Sequence, residues 1–313
     1  MKDRPLISIC IPNYNNAEYV GEAIQSALDQ TYNNIEVIVV DNCSTDNSWE
    51  VINTYSSDLR VKIYQNKTNI GMVGNFREAL RKSYGRYISF LCSDDLIKKD
   101  TIEKLVLKLE KNSEFAFAFG NVEYIGSRKG QSNFKFHEIL QKGEWIKESI
   151  KAGGNKTYLV GTVFRKIEEI PEDTIVDLVF FDWYLWLRLG KGKVAFTNNI
   201  VGCHRYHSKN QTGLLTPGIL NNYYGMKEVL TLAYHNKYLS SKELMISVDQ
   251  LTRKYCILLY QTMISKNVKI KEAIIECVAL FRFHAFSQIH ALFYFFLVLL
   301  KVLLIKFIRN RNF

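Results

Sequence analysis

The sequence predicts an α/β fold: a mixed, mostly parallel sheet flanked by helices, with a helical extension at the C-terminal end. Three observations carry this. Short apolar runs alternate with amphipathic helical patterns through the first third of the chain, as in a doubly wound sheet. Acidic residues follow two of those runs, at Asp41 and at Asp94-Asp95, where open α/β sheets bind ligands. From Leu220 the pattern is helical to the end.

Leu6 to Ile11 reads as a buried strand, and Val20, Ile24, Ala27 and Leu28 mark one face of a helix. Ile35 to Val40 is a β-branched second strand ending at Asp41. Trp49 to Tyr55 is a short helix, Val61 to Tyr64 a third strand, Asn75 to Ser83 a helix and Tyr87 to Leu91 a fourth strand. Asp100 with Glu103 has the form of a capping box, opening a helix with Ile102, Leu105, Val106 and Leu109 on one face. Phe115 to Phe119 is a further strand, and the polar stretch from Gly126 to Gly143 is expected to be a mobile loop. Strand and helix pieces resume through His207. The expected division is a core domain over 1–215, with a nucleotide-binding half 1–110 and an acceptor half 111–215, and a helical region over 216–313.

A chain of 313 residues, 47% hydrophobic and 23% charged, is an ordinary globular protein with room for a core domain and an appendage. The six cysteines have no metal-site spacing, which points to a reducing compartment. The start of the chain leads only into a short apolar strand, so no signal peptide is expected. Half of the +10 net charge comes from Arg282, Lys301, Lys306, Arg309 and Arg311, beyond the last acidic residue, Glu276. That basic segment is also strongly apolar, which favours a membrane surface over nucleic acid.

The chemistry starts at Asp94-Asp95. Two adjacent carboxylates repel each other unless a cation lies between them. Hard oxygen ligands at a strand end suit Mg²⁺ or Mn²⁺ holding a diphosphate; the alternative is a solvated turn. Asp41 is placed to accept from a base imide N–H or a ribose hydroxyl, or else is a turn residue within Asp41-Asn42-Cys43-Ser44-Thr45-Asp46. Neither a G-x-G-x-x-G fingerprint nor a P-loop occurs, so a nucleotide here is held without a glycine cradle. Trp183 and Trp186 are expected in the core.

Pro12-Asn13-Tyr14-Asn15, Ala23 to Tyr32, Glu36 to Asp46, Asn69-x-Gly71, Gly85 to Ile88 and Ser93-Asp94-Asp95 occur in an order that resembles family 2 glycosyltransferases over about the first 110 residues. The resemblance implies a GT-A fold, a nucleoside-diphosphate-sugar donor and inversion at the anomeric carbon. It implies that Pro12, Tyr14 and Asn15 line the base pocket, that Asp41 holds the base, and that Asn69 and Asp94 belong to the nucleotide-sugar site. Asp95 is the first choice for a Mn or Mg cation, with Asp94 beside it. Phe181 to Leu189 resembles the acceptor-side segment, which makes Asp182 the candidate base, with Asp177 in reserve; the alternative is a helix N-cap. In Cys203-His204-Arg205-Tyr206-His207, Arg205 or His207 is expected to close over the diphosphate, Arg205 on the nucleotide sugar and His207 on the metal. Two departures stand out. Cys92 replaces an aspartate of many members, which makes the metal site less acidic. Gly74-Asn75 replaces an Ala-Arg pair, leaving Arg77 as a weak substitute for a diphosphate contact.

Ala291 to Leu300 is an uninterrupted apolar run, short of the roughly 20 residues of a span. With Lys301 and Lys306 counted in, residues 289–308 reach that length. The preferred reading is an amphipathic or partly inserted helix on the cytoplasmic face of the membrane, with a single span left open. A buried helix of a homodimer is the alternative. The implied partners are a nucleotide-sugar donor, a UDP-sugar first, and a glycan or polyprenyl-linked acceptor in cell-surface polysaccharide biosynthesis. A catalytically weak scaffold and a basic nucleic-acid-binding protein are the competing readings, and nucleic acid is not an expected partner.

Overall fold

The computed structural model describes residues 4–151, 157–168, 170, 181–189, 192–208, 219–248 and 250. The chain divides into two compact units, 1–213 and 214–313. In the first unit, β1 (Ile7–Asn13) pairs in parallel with β2 (Ile35–Asp41) and β4 (Tyr87–Phe90), and β2 pairs with β3 (Val61–Gln65). Beyond β4 the sheet is mixed. β9 (Thr162–Arg165) is antiparallel to β4 and β6 (Phe115–Gly126), and β10 (Lys193–Tyr206) runs parallel to β6. The two-residue β5 (Leu96–Ile97) closes the order β3-β2-β1-β4-β9-β6-β10-β5 against β10.

The sheet separates two cores of different chemistry. On one side Ile7, Ile9, Ile11, Val37 and Val39 pack with the apolar faces of α1 (Val20–Leu28) and α4 (Thr101–Lys111). Each such aliphatic side chain contributes about 1.5–3 kcal/mol on burial. A second set of buried side chains is aromatic. Phe76, on α3 (Gly71–Arg81), meets Phe90 and Phe181, and Phe164 and Phe117 meet Trp186. Phe181, Trp183 and Trp186 are buried, so the tryptophans are core residues as expected. They dock α6 (Phe181–Leu189) and with it Asp182. Gly85 lies where a Cβ would meet the backbone nitrogen of Ser8 at 2.4 Å, so only glycine lets the chain enter β4 this close to β1.

Several boundaries differ from the sequence reading. Helix α3 starts at Gly71, four positions before Asn75. Gly74 lies inside that helix, where a Cβ would meet the Ile70 side chain at 3.2 Å. The Asp100–Glu103 capping box does not form. Asp100 precedes α4 without a side-chain cap bond and pairs with Lys104 at 2.6 Å, and Glu103 takes Arg4 and Thr31 instead. The segment from Gly126 to Gly143 is built rather than loose: β7 (Gly130–Gln131) pairs with β6, and β8 (Ile139–Leu140) with β10. Asn121 anchors the stretch between them, accepting from Ser132 Oγ and the Phe134 N–H.

The second unit holds α7 (Ile219–His235) and further helical residues from Ser241. Here a capping box does form: the Ser240 N–H donates to Glu243, and the Glu243 N–H returns to Ser240 Oγ. Among the described residues no helix is long and apolar enough to cross a membrane. The apolar run 289–308 lies outside the described residues, as does Asp177.

Candidate active site

Parallel register sets the first half of the site. Asn13 and Asp41 are Cα partners at the carboxyl ends of β1 and β2, so their side chains meet there. Asp41 is fully buried and takes four donors: Asn13 Nδ2 at 2.9 Å, Ser44 Oγ at 2.5 Å, Ser44 N–H at 3.0 Å and Gln65 Nε2 at 3.1 Å. It therefore clamps two loops. A base N–H would take the place of one of these donors. Asn13 Oδ1, also buried, has no partner among the described residues, so an acceptor lies idle beside that clamp.

The loops are laced across each other. Asn15, at φ 52°, accepts the Thr45 N–H at 2.8 Å, and its own N–H donates to Ser44 Oγ. Asp46 accepts the Ala17 N–H and Ser48, which holds its carboxyl below the ordinary range against the opposing effect of burial. Pro12 is half-buried, and Tyr14 is 44% exposed, its ring open to a planar partner. Asn69 accepts from Asn42 Nδ2 and the Gly71 N–H, closing the turn into α3. Asn75 donates to the carbonyls of Asn13 and Val40 and accepts from Asn66. The residue that replaces the family's arginine is thus a buried pin. Arg77 donates Nε to the Ile170 carbonyl at 2.8 Å, which commits that nitrogen to the chain itself.

The second half is the acidic pair. Asp95 is 2% exposed and accepts the Arg205 N–H at 2.8 Å, with His204 Nδ1 at 3.2 Å. Asp94 meets His207 Nε2 at 3.0 Å. Burial, then the charge of Asp95, pushes the Asp94 carboxyl above its usual range, with His207 opposing. Arg205 donates Nε to the Asp94 carbonyl, pairs with Glu22 at 2.6 Å and lies over the Tyr19 ring at 4.7 Å. Asn16 reaches across to Ser93 at 2.9 Å, tying the base loop to the pair.

Cys92 Sγ and carboxylate oxygens of Asp94 and Asp95 all lie within 4.8 Å of one another. Burial, then Asp95, Asp94 and Asp182, pushes the Cys92 thiol well up. A neutral thiol is a poor ligand for a hard cation, so the two carboxylates are the donors that fit one. His207 stands against Asp94 outside that group of three. Burial lowers the His204 pKa, but Asp95, with smaller effects of Asp94 and Asp182, more than reverses this. The charge of Asp182 adds to the shifts of both Cys92 and His204, which puts α6 in the electrostatic neighbourhood of the pair. Asp182 lies inside the first turn of α6, not ahead of it, and accepts the Trp183 N–H at 2.7 Å. His204 is the residue the sequence reading passed over. Strand alternation separates it from Arg205 and was the available signal.

A strand-end base loop joined to an acidic pair is the layout of a nucleotide-sugar enzyme of the GT-A fold. The sequence model of glycosyl transferase family 2 matches residues 8–164, half of the chain, and the protein belongs to that family. WfgD of Escherichia coli, a UDP-Glc:α-D-GlcNAc-diphosphoundecaprenol β-1,3-glucosyltransferase, is 36% identical over 125 residues, 40% of this chain and 49% of WfgD. The chain spans less than half the length of the curated relatives it matches. TarS of S. aureus with UDP-GlcNAc superposes with a TM-score of 0.65 at 16% identity, over 88% of this chain and 79% of that one. The mannosyltransferase PcManGT from Pyrobaculum calidifontis, with GDP-Man and Mn²⁺, gives 0.55 at 14% identity, over 96% and 88%. These two likenesses establish the fold.

Proposed function

We propose that the protein transfers a sugar, with inversion, from a nucleoside-diphosphate sugar to a glycan or polyprenyl-linked acceptor in cell-surface polysaccharide biosynthesis. The observation that carries this is the Asp94-Asp95 pair, held by His204, Arg205 and His207 and tied through Asn16 and Ser93 to a loop system that ends in the exposed ring of Tyr14. WfgD and TarS support a UDP-sugar as donor, and WfgD supports a lipid-linked acceptor. The base rests in the pocket of Tyr14, Pro12 and Asn15, and Asp41 accepts a base N–H in place of one of its present donors. A Mn or Mg ion on Asp95 and Asp94 would supply positive charge to the diphosphate.

The chain's own groups account for the rest. Asp182 takes the proton of the acceptor hydroxyl as that oxygen bonds to the anomeric carbon. The bond from that carbon to the phosphate oxygen breaks, and the diphosphate leaves with the electron pair. Arg205, held over Tyr19 beside the pair, faces the charge that develops there. The apolar, basic segment near the C-terminal end of the sequence keeps the enzyme at the cytoplasmic membrane face, near a lipid-borne acceptor.

The test is a thermal-shift screen of nucleotide sugars with Mn²⁺ and Mg²⁺, followed by transfer to polyprenyl-diphosphate-linked GlcNAc. A metal-dependent stabilisation by a UDP-sugar, followed by product, supports the reading. No stabilisation by any nucleotide sugar would overturn it.

A further inference from the structure

A cavity of about 440 Å³ opens beside β6 and the bulged middle of β10, and none of the residues assigned above lines it. Its size falls within the roughly 300–1,000 Å³ of small-molecule clefts. The floor is preorganised. Asn121 spends both ends of its amide on the chain, accepting from Ser132 Oγ and the Phe134 N–H and donating to the carbonyls of Phe134 and Asn198. Ser132 Oγ also accepts the Val122 N–H at 2.8 Å.

The walls differ from the floor. Gln131, Asn133, Lys135, His137 and Asn198 line the cavity, and among the described residues their side chains make no hydrogen bond or ion pair. One ring, Phe136, is fixed among Phe119, Phe134 and Phe196 and presents an apolar surface to the same space. Among the described residues no carboxylate lines the cavity. Three amides offer both donors and acceptors, a fixed ring offers a flat apolar face, and a lysine and an imidazole complete the lining. This set matches hydroxyl-rich rings carrying one anionic group.

We propose that this cavity is a binding subsite for an acidic oligosaccharide, the part of the acceptor glycan away from the new bond. The acceptor role rests on the function proposed above; the glycan binding does not. Lys135 pairs with the carboxylate or phosphate, the amides take ring hydroxyls, and Phe136 supports one sugar face.

The probe is a glucuronic-acid-containing tetrasaccharide and its carboxyl-reduced counterpart, observed by saturation-transfer NMR and titration against the full chain. The acidic tetrasaccharide binds. Its affinity falls about tenfold or more in the Asn133→Ala, Lys135→Ala double variant, whose exposed positions leave the melting temperature unchanged. The reduced counterpart binds correspondingly weakly to the wild type. Equal binding of the two tetrasaccharides, or equal binding by wild type and variant, overturns the proposal. In transfer assays the variant raises KM for long acidic acceptors and leaves KM for the donor unchanged. Glycan binding lost in the variant, in a protein that transfers no sugar, would overturn the proposed function and leave the subsite standing.

Discussion

The backbone N–H of Arg205 donates to Oδ1 of Asp95 at 2.8 Å, joining the end of β10 to the acidic pair across 110 positions of sequence. The Arg205 side chain adds a second tie, through Nε to the Asp94 carbonyl. Substitution separates the two. Arg205→Ala keeps the main-chain bond and removes the guanidinium. Nucleotide-sugar affinity is expected to fall about tenfold or more, since a charge-assisted hydrogen bond contributes roughly 1.5–3 kcal/mol. Calorimetric titration of donor checks this. Unchanged affinity would make the guanidinium a strut between Glu22 and the pair.

Asp95→Asn retains an acceptor for the Arg205 N–H and removes the charge. The expected outcome is a folded protein whose UDP binding no longer responds to Mn²⁺. Titration of UDP with and without the ion is the measurement. A response equal to that of the wild type would take Asp95 out of the cation site.

For Asp182→Asn the expectation is the reverse: donor binding stays, and kcat falls by roughly 10²–10⁴, the usual contribution of a positioned base. Steady-state transfer kinetics and a parallel donor titration distinguish the cases. Loss of donor binding would mean that α6 carries the acidic pair structurally through Phe181, which packs on Phe76 at 4.8 Å.

β2 and β4 are legible in the sequence because each is a short apolar run leading into carboxylates, at Asp41 and at Asp94-Asp95. What hydrogen bonds decide is not. Asp100 and Glu103 satisfy the pattern of a capping box, yet each finds an ionic partner elsewhere. Ser240 and Glu243, with the same spacing, form the box. His204 escapes notice for a related reason. Alternation sets it apart from Arg205, but that β10 pairs with β6 and β5, beside the acidic pair, is a matter of long-range pairing. The stretch 126–143 reads as a loose loop because its anchor, Asn121, lies in the preceding strand.

Asn75 tests whether the family's arginine can be restored. Asn75 is buried and makes three hydrogen bonds, to the Asn13 and Val40 carbonyls and from Asn66. Asn75→Ala strands these groups and is expected to cost about 2–3 kcal/mol. Asn75→Arg is expected to cost more, because a longer, charged side chain must be fitted and desolvated where a neutral amide is packed. Urea denaturation of both variants measures it. A neutral Asn75→Arg would show that the helix can turn the side chain out toward the nucleotide loops.

Glu36 sets the acid limit of the fold. Its carboxylate is buried at the start of β2 and accepts Ser8 Oγ at 2.5 Å, Lys62 Nζ at 2.6 Å and the N–H groups of Tyr84 and Gly85. Burial works to raise its pKa, but the donors, Lys62 first, outweigh burial and hold it below the ordinary 4.5. A carboxylate depressed by folding adds stability that is fully present above its unfolded value. That stability is lost as pH falls through the lower folded value. Wild-type stability should therefore decline below about pH 4.5 with a contribution from Glu36. Glu36→Gln loses the Lys62 pair and turns an amide donor toward other donors. It should be destabilised at pH 7 and show a shallower decline between pH 5 and pH 3. Denaturation midpoints across that range decide it: parallel pH profiles for the two proteins would show that Glu36 titrates alike in the folded and unfolded chain.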